Sequence, residues 1–286
     1  MKKVLVTGAN GQLGKCLQEL SALNPAINFV FVNSKELNIT IKEDVEALFS
    51  VSNFDYCINC AAYTAVDKAE ENFEEANKIN VLGVDYLAEA CLINHTTLIH
   101  ISTDFVFDGQ ATKPYSETDD TKPLSVYGKT KLEGEQKIQG ILKNYFIIRT
   151  SWLYSEYGNN FMKTMLRLGS ERDELSIVSD QIGSPTYAKD LAQVILEIIT
   201  TDTKDYGVYH YSNVGVTSWY GFATKIFDLS HTKVITNAIP STAYPTPAVR
   251  PKYSVLDKSK IVETLKITIP NWEKSLEKAL LNLENY

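Results

Sequence analysis

Lys3-Val-Leu-Val-Thr7-Gly8-Ala-Asn-Gly11-Gln-Leu-Gly14 runs an apolar segment directly into a glycine loop, and the residues that follow read as the start of a helix. Glycine permits a tight turn and close backbone approach, and the free N–H groups at a helix start favour a pyrophosphate. The spacing has one more residue between the first two glycines than the dinucleotide fingerprint. Its weight comes from position, after a strand and before a helix. Gly8, Asn10, Gly11, Gln12, Leu13 and Gly14 are therefore candidate cofactor contacts. A glycine turn serving only as a helix cap is the competing structural reading.

Outward from this loop, apolar runs alternate with amphipathic stretches, the pattern of βαβ units winding a parallel sheet. Strands are predicted near 3–7, 27–33, 55–60, 97–101 and 145–149, and helices near 11–22, 41–51, 71–93 and 128–142. Thr40-Ile-Lys-Glu43 fits a capping box opening the second helix. The expected fold is α/β, a Rossmann-like doubly wound parallel sheet with a smaller C-terminal substrate lobe. Residues 1–150 form the dinucleotide-binding domain and 151–286 mainly the substrate lobe. A return strand near 207–212 is expected to rejoin the main sheet. Beyond residue 150 the alternation loosens, and Pro240 to Pro251 holds four prolines. No internal repeat or low-complexity tract interrupts the chain.

The composition is that of a globular protein, with 44% hydrophobic and 22% charged residues in 286. Lys and Arg total 28 against 35 Asp and Glu. This acidic balance argues against a sequence-independent grip on nucleic acid. No stretch reaches the ~18 apolar residues of a membrane span, and Gly8 and Asn10 break the first apolar run, which reads as a strand rather than a signal peptide. A cytoplasmic protein without nucleic-acid or membrane partners is expected. Cys57-Ile-Asn-Cys60 has redox or zinc spacing but sits inside a strand pattern without a second pair. No metal is expected, and Cys16, Cys57, Cys60 and Cys91 read as buried thiols.

Three further segments carry chemistry. After the second strand, Asn33-Ser34-Lys35 presents no carboxylate and a lysine, which favours a 2′-phosphate and hence NADPH; Glu36 nearby keeps NADH open. Tyr127-Gly-Lys-Thr-Lys131 places a phenol and an ammonium on one helix face. An ammonium beside a tyrosine of ordinary pKa ~10 favours the phenolate and brings it toward working range. Ser102 and Thr103 end the fourth strand, at the carboxyl edge where parallel sheets gather ligands. Thr103 can bond a reacting oxygen there. Glycine loop, hydroxyl and Tyr/Lys pair together point to hydride transfer.

In this order the motifs resemble the extended short-chain dehydrogenases/reductases. Asn59-Cys-Ala-Ala-Tyr-Thr-Ala-Val-Asp67, Ser102-Thr-Asp-Phe-Val-Phe-Asp-Gly109, Arg149-Thr-Ser-Trp-Leu-Tyr154, Asp180-Gln-Ile-Gly-Ser-Pro-Thr186 and Arg250-Pro-Lys-Tyr-Ser254 narrow the resemblance to the dTDP-4-dehydrorhamnose reductases, over nearly the whole chain. The resemblance implies NADPH-dependent reduction of the 4-keto group of a nucleotide-linked sugar. It makes Thr103, Tyr127 and Lys131 the catalytic group. It sets Ala61, Ala62, Tyr63 and Thr64 beside the cofactor with Ser102, and Asn38 and Ile39 near the adenine. Asp104, Trp152, Asn160, Phe161 and Arg250 become substrate-side residues, the guanidinium suiting a diphosphate. Asn80 is implied to support Lys131 through water.

Related folds offer alternatives. A dehydratase of this superfamily carries Asp-Glu after the threonine, and here Phe105 follows Asp104. An epimerase of a nucleotide-linked sugar would recycle its cofactor rather than consume it. A non-catalytic regulatory subunit would retain the cofactor pocket without turnover.

Overall fold

Val4 and Val6 point to one face of the first strand and Leu5 to the other, since strand side chains alternate. All three are fully buried. A sheet buried on both sides needs helices on both sides, and the chain supplies them. The computed structural model describes residues 1–284. Its first half runs β1 (Lys2–Thr7), α1 (Gln12–Ser21), β2 (Ile27–Phe31), α2 (Lys42–Ser50), β3 (Tyr56–Asn59), α3 (Val66–Ala69), α4 (Phe73–Asn77), α5 (Gly83–Ile93), β4 (Thr97–Thr103), α6 (Val126–Ile141) and β5 (Tyr145–Thr150). The second half runs β6 (Leu153–Tyr154), α7 (Phe161–Glu171), β7 (Glu174–Val178), β8 (Ile182–Gly183), β9 (Thr186–Tyr187), α8 (Ala188–Thr201), β10 (Gly207–His210), β11 (Thr217–Ser218), α9 (Trp219–Leu229), β12 (Ile235–Ile239), α10 (Ser259–Leu265) and α11 (Trp272–Glu284).

The main sheet has the order β2-β1-β3-β4-β5-β10, every neighbour parallel. The winding reverses between β1 and β3, which opens a crevice at their carboxyl ends. On one face Val4, Val6, Ile58 and Ile148 pack against Leu17 of α1, Leu191 and Ile195 of α8 and Ile261 of α10. On the other, Leu5, Cys57, Leu98 and Ile147 meet Val45 of α2, Leu87 of α5 and Ile138 of α6. The return strand β10 pairs with β5 from Gly207↔Phe146 to His210↔Arg149, so α8 and β10 are built into the sheet half although they follow residue 150. The smaller lobe closes around Tyr154, Met162, Phe222, Trp272 and Leu276. It carries three two-stranded pieces, β6 with β9, β7 with β12 and β8 with β11.

Local geometry corrects the sequence reading in three places. The capping box at Thr40 and Glu43 does not form. The N-cap is Ile41 without a side-chain bond, and the Thr40 hydroxyl bonds Asn38 Oδ1 instead. The single helix expected over 71–93 breaks into α4, a π-helical turn at Lys78–Leu82, and α5. That turn carries Asn80 O against α6, where a Cβ on Gly134 would lie only 2.2 Å away. β2 stops at Phe31, because Asn33 N–H bonds the Glu36 carboxylate and Lys35 N–H bonds Asn33 Oδ1, a tight polar turn. Cys16, Cys57 and Cys91 are buried as expected, while Cys60 is half-buried.

Beneath the carboxyl edge, α6 is tied to the sheet by a buried ion pair. Arg149 of β5 grips Glu135 of α6 through Nε at 2.9 Å and Nη2 at 2.6 Å, and Ser102 of β4 donates to the same carboxylate. Removing one partner of a buried pair strands the other charge. Arg149→Met should therefore cost roughly 3–5 kcal/mol of unfolding free energy, measured by urea denaturation. A loss of about 1 kcal/mol or less, the worth of an exposed pair, would contradict this.

Candidate active site

The glycine loop sits in the crevice. Gly8 has φ +64°, and a Cβ there would lie 2.6 Å from Ala61 N. β1 therefore exits against the chain leaving β3. A Cβ on Gly14 would lie 2.6 Å from Gly8 O, so only glycine lets α1 start this close to the loop. Helix α1 begins at an uncapped Gly11 with no acidic side chain in its first turn, the arrangement that suits a bound phosphate. Leu13 is buried in the core, leaving its backbone as the group that could serve a ligand. Gln12 reaches across to the smaller lobe: its Oε1 accepts from Ser155 Oγ at 3.0 Å and Asn160 Nδ2 at 2.9 Å. Asn160 also caps α7 through Lys163 N–H.

Around the rest of the crevice the expected cofactor residues differ in what they can offer. Ser34 and Lys35 are exposed at the β2 end, while the Glu36 carboxylate is engaged by Asn33 N–H. Asn38 is exposed. Ile39 is core, its side chain occupying the space a Cβ on Gly83 would fill, so only its backbone can face an adenine. Ala61 and Tyr63 are held by side-chain amides: Ala61 N–H donates to Asn59 Oδ1, and Tyr63 exchanges two backbone hydrogen bonds with Asn80. Asn80 Nδ2 also donates to Thr130 Oγ1 at 3.1 Å. Its amide thus positions the chain after β3 and one turn of α6, and does not touch Lys131 directly. Uncapped helix start, bare glycine backbone and exposed lysine form a donor set that fits a phosphate-bearing dinucleotide.

At the end of β4 the proton-handling groups converge. Thr103 Oγ1 accepts from Phe105 N–H and donates to Asp104 Oδ1 at 3.1 Å, and it lies near enough to Tyr127 to favour the phenolate. Tyr127 reaches this point because Ser125 caps α6 through Gly128 N–H at 3.2 Å. Gly128 itself has no room for a Cβ, which would lie 2.2 Å from Phe105 O. The Phe105 and Tyr127 rings meet edge to face, centroids 5.5 Å apart. Burial pushes the Tyr127 phenol up to about 12, with the Asp104 charge acting in the same sense and the Thr103 bond opposing. Burial also raises Asp104, only 2% exposed, to about 6 against hydrogen bonds from Ser254 and Thr103.

Lys131 lies one turn deeper and is 2% exposed. Its Nζ donates to Ile101 O at 2.6 Å and meets His100 Nε2 at 3.1 Å. The expected coupling of ammonium to phenol is therefore not made in this form. The amine is instead turned into β4, where the Ile101 carbonyl and the His100 ring take its hydrogen bonds.

On the substrate side Trp152 adopts φ +48° and stacks on Trp219, centroids 3.6 Å apart and planes 10° apart. Phe161 leans on the same Trp219 at 4.5 Å. Gly183 allows this, since a Cβ there would lie 2.7 Å from the Trp152 ring. Arg250 is not a free guanidinium: Nη1 and Nη2 grip the two Asp67 oxygens at 2.9 and 2.7 Å, and Nη1 also bonds Thr246 Oγ1 at 2.6 Å. The guanidinium in turn holds the Asp67 carboxyl below its ordinary range. The adjoining Pro251 packs on Gly109, where a Cβ would lie 2.6 Å away. Sequence reasoning assigned no role to Trp219, Ser254 or His100. Trp219, directly after the helix-capping Ser218, offered a signal as a large aromatic at a helix start; the other two offered none.

The RmlD substrate binding domain family model matches residues 1–285. The chain is 43% identical over 287 residues to the dTDP-4-dehydrorhamnose reductase of Aggregatibacter actinomycetemcomitans, covering 97% of this chain and 98% of that one. Its structure is similar to that of a dTDP-4-dehydrorhamnose reductase from Clostridium acetobutylicum, with TM-score 0.94 and 42% identity over 99% of both chains. It is equally similar to a Bacillus anthracis dTDP-4-dehydrorhamnose reductase in complex with NADP, with TM-score 0.94 and 43% identity, covering 99% of this chain and 100% of that one. Matched along its length by the family model and by these relatives, the chain belongs to the RmlD substrate binding domain family.

Proposed function

We propose that this protein reduces the 4-keto group of dTDP-4-dehydro-L-rhamnose with NADPH, giving dTDP-L-rhamnose. The observation that carries the reading is the convergence of Thr103 and Tyr127, both set against Phe105 at the carboxyl edge of β4, beside a glycine loop fit for a dinucleotide. Relatives at 39–43% identity bear the name of this reductase, and a similar structure was solved with NADP. The bound nicotinamide supplies hydride chemistry. Everything else falls to the chain.

Thr103 orients the keto oxygen by a hydrogen bond, and Tyr127 releases its phenolic proton to that oxygen as charge develops on it. A phenol raised to about 12 stays protonated between turnovers, which suits a donor in the reductive direction. An ammonium brought close on substrate and cofactor binding lowers that value when the proton must leave; Lys131, four residues along α6, is the group in reach. Asp104, Trp152, Phe161 and Asn160 frame the sugar nucleotide, the indole offering an apolar face to a sugar or base. Incubation with dTDP-4-dehydro-L-rhamnose and NADPH tests the reading: one NADPH should be consumed per sugar reduced. Interconversion of sugars without net cofactor consumption would favour the epimerase, and binding without turnover a regulatory subunit.

Tyr127→Phe keeps the ring and deletes the proton. Turnover should fall by roughly 10²–10⁴-fold, the range of general acid catalysis, while NADPH affinity measured by fluorescence stays near wild type. Near-normal turnover would remove Tyr127 as the donor. Lys35→Ala should weaken NADPH more than NADH, because only NADPH presents a 2′-phosphate. Equal losses in the two titrations would show that Lys35 does not read it. Arg250 can meet a diphosphate only by exchanging Asp67 for it. Arg250→Ala should accordingly raise the sugar-nucleotide KM about ten- to a hundredfold, the worth of a charge-assisted bond, with kcat little changed. Asp67→Asn, which removes the competing carboxylate charge, should leave KM equal or lower. An unchanged KM in Arg250→Ala would limit Arg250 to tying its segment to Asp67.

A further inference from the structure

Ala61 fixes the direction of a buried hydrogen-bond chain that ends at Lys131. Its backbone N–H can only donate, and it reaches Asn59 Oδ1 at 3.1 Å. The Thr7 hydroxyl donates to the same oxygen at 2.7 Å. The Asn59 amide must then turn its NH2 group toward His100 Nδ1, 3.1 Å away. A ring nitrogen that accepts carries no proton, so the imidazole proton sits on Nε2. That N–H faces Lys131 Nζ at 3.1 Å. An ammonium has three donors and no lone pair, and two donors facing each other would repel. A neutral amine accepts from Nε2–H and still donates to Ile101 O.

We propose that His100 is a positioning residue that favours the neutral amine of Lys131 against β4, and that ligand binding draws the side chain away and lets it take up a proton. The step balances: the amine and one solvent proton give the ammonium, and no other bond changes. Asn59 cannot relay a proton through its amide, so the chain sets direction and is not a conduit. The consequence for turnover rests on Lys131 serving Tyr127 as proposed above.

The groups facing Lys131 agree with this. His100 faces it from β4, Glu135 from its own helix and Cys60 from the end of β3. Glu135 is held by Arg149, which offsets its pull on the lysine proton. Burial keeps the Cys60 thiol protonated and holds His100 well below its ordinary value, so the imidazole is neutral and carries one proton. Burial likewise draws Lys131 down to about 8, opposed by Glu135 and Cys60.

Nitrogen NMR of the ligand-free, full-length protein, labelled in its histidines, tests the first link. His100 should show a protonated Nε2 and an accepting Nδ1; a protonated Nδ1 overturns the proposal. Carbon NMR of labelled lysine tests the second, by titrating Lys131 in wild type and His100→Phe. Losing the Nε2–H donor removes a bond that only the neutral amine makes. The proton affinity of Lys131 should rise about tenfold, the scale of one neutral hydrogen bond. An ammonium donating to His100 would lose its acceptor instead, so a fall, or no change, overturns the proposal. Should His100→Phe not fold, the wild-type tautomer still decides. Neither readout involves turnover, so failure here leaves the reductase reading untouched, and failure of that reading leaves these shifts unaltered.

Discussion

The buried pair of Glu135 and Arg149 holds α6 against β4 and β5, and the candidate catalytic site depends on that placement. Both side chains are removed from water, which costs several kcal/mol per ion unless geometry and further hydrogen bonds offset it. Here the guanidinium is bidentate and Ser102 satisfies a carboxylate oxygen. Ser102 directly precedes Thr103, and Glu135 lies one turn beyond Lys131. One ionic contact thus sets the height of α6 over the strand ends. Gly128 and Gly134 then let the helix approach Phe105 O and Asn80 O more closely than any side chain would permit.

From that placement, two groups on one helix face receive different environments. Tyr127 sits at the rim, half-buried, with Thr103 beside it; Lys131 sits one turn deeper, bonded to β4. Spacing of four residues supplies the common face, and depth supplies the difference. The glycine loop and the aromatic wall of the smaller lobe are joined at the same edge by Gln12, which bonds Ser155 and Asn160. Binding in the glycine loop and order in the smaller lobe therefore share a side chain.

The sheet was legible in the sequence because strand periodicity and glycine position are local signals. Gly8, Gly11 and Gly14 fall where a turn and a close helix start require them, and the β4 end and α6 face followed from Thr103, Tyr127 and Lys131. What the sequence did not carry is partner choice. Thr40 and Glu43 have capping-box spacing, yet Asn38 takes the threonine hydroxyl. Arg250 reads as a free cation until folding brings Asp67, far away in the chain, against it. Lys131 reads as an ammonium pointing at Tyr127. The tautomer of His100, set through Asn59 by a backbone N–H, is a property of four segments together. The π turn at Lys78–Leu82 likewise answers to the packing of α6, not to its own residues.

In the proposed reaction hydride reaches the sugar C4 and a proton reaches its oxygen. It is tested most directly with NADPH deuterated on its transferable face and dTDP-4-dehydro-L-rhamnose as acceptor. One deuterium should appear at C4 of the product for each cofactor oxidised, with none entering from heavy water at that carbon. Product formed without deuterium at C4, or with the cofactor returned unchanged, would contradict it.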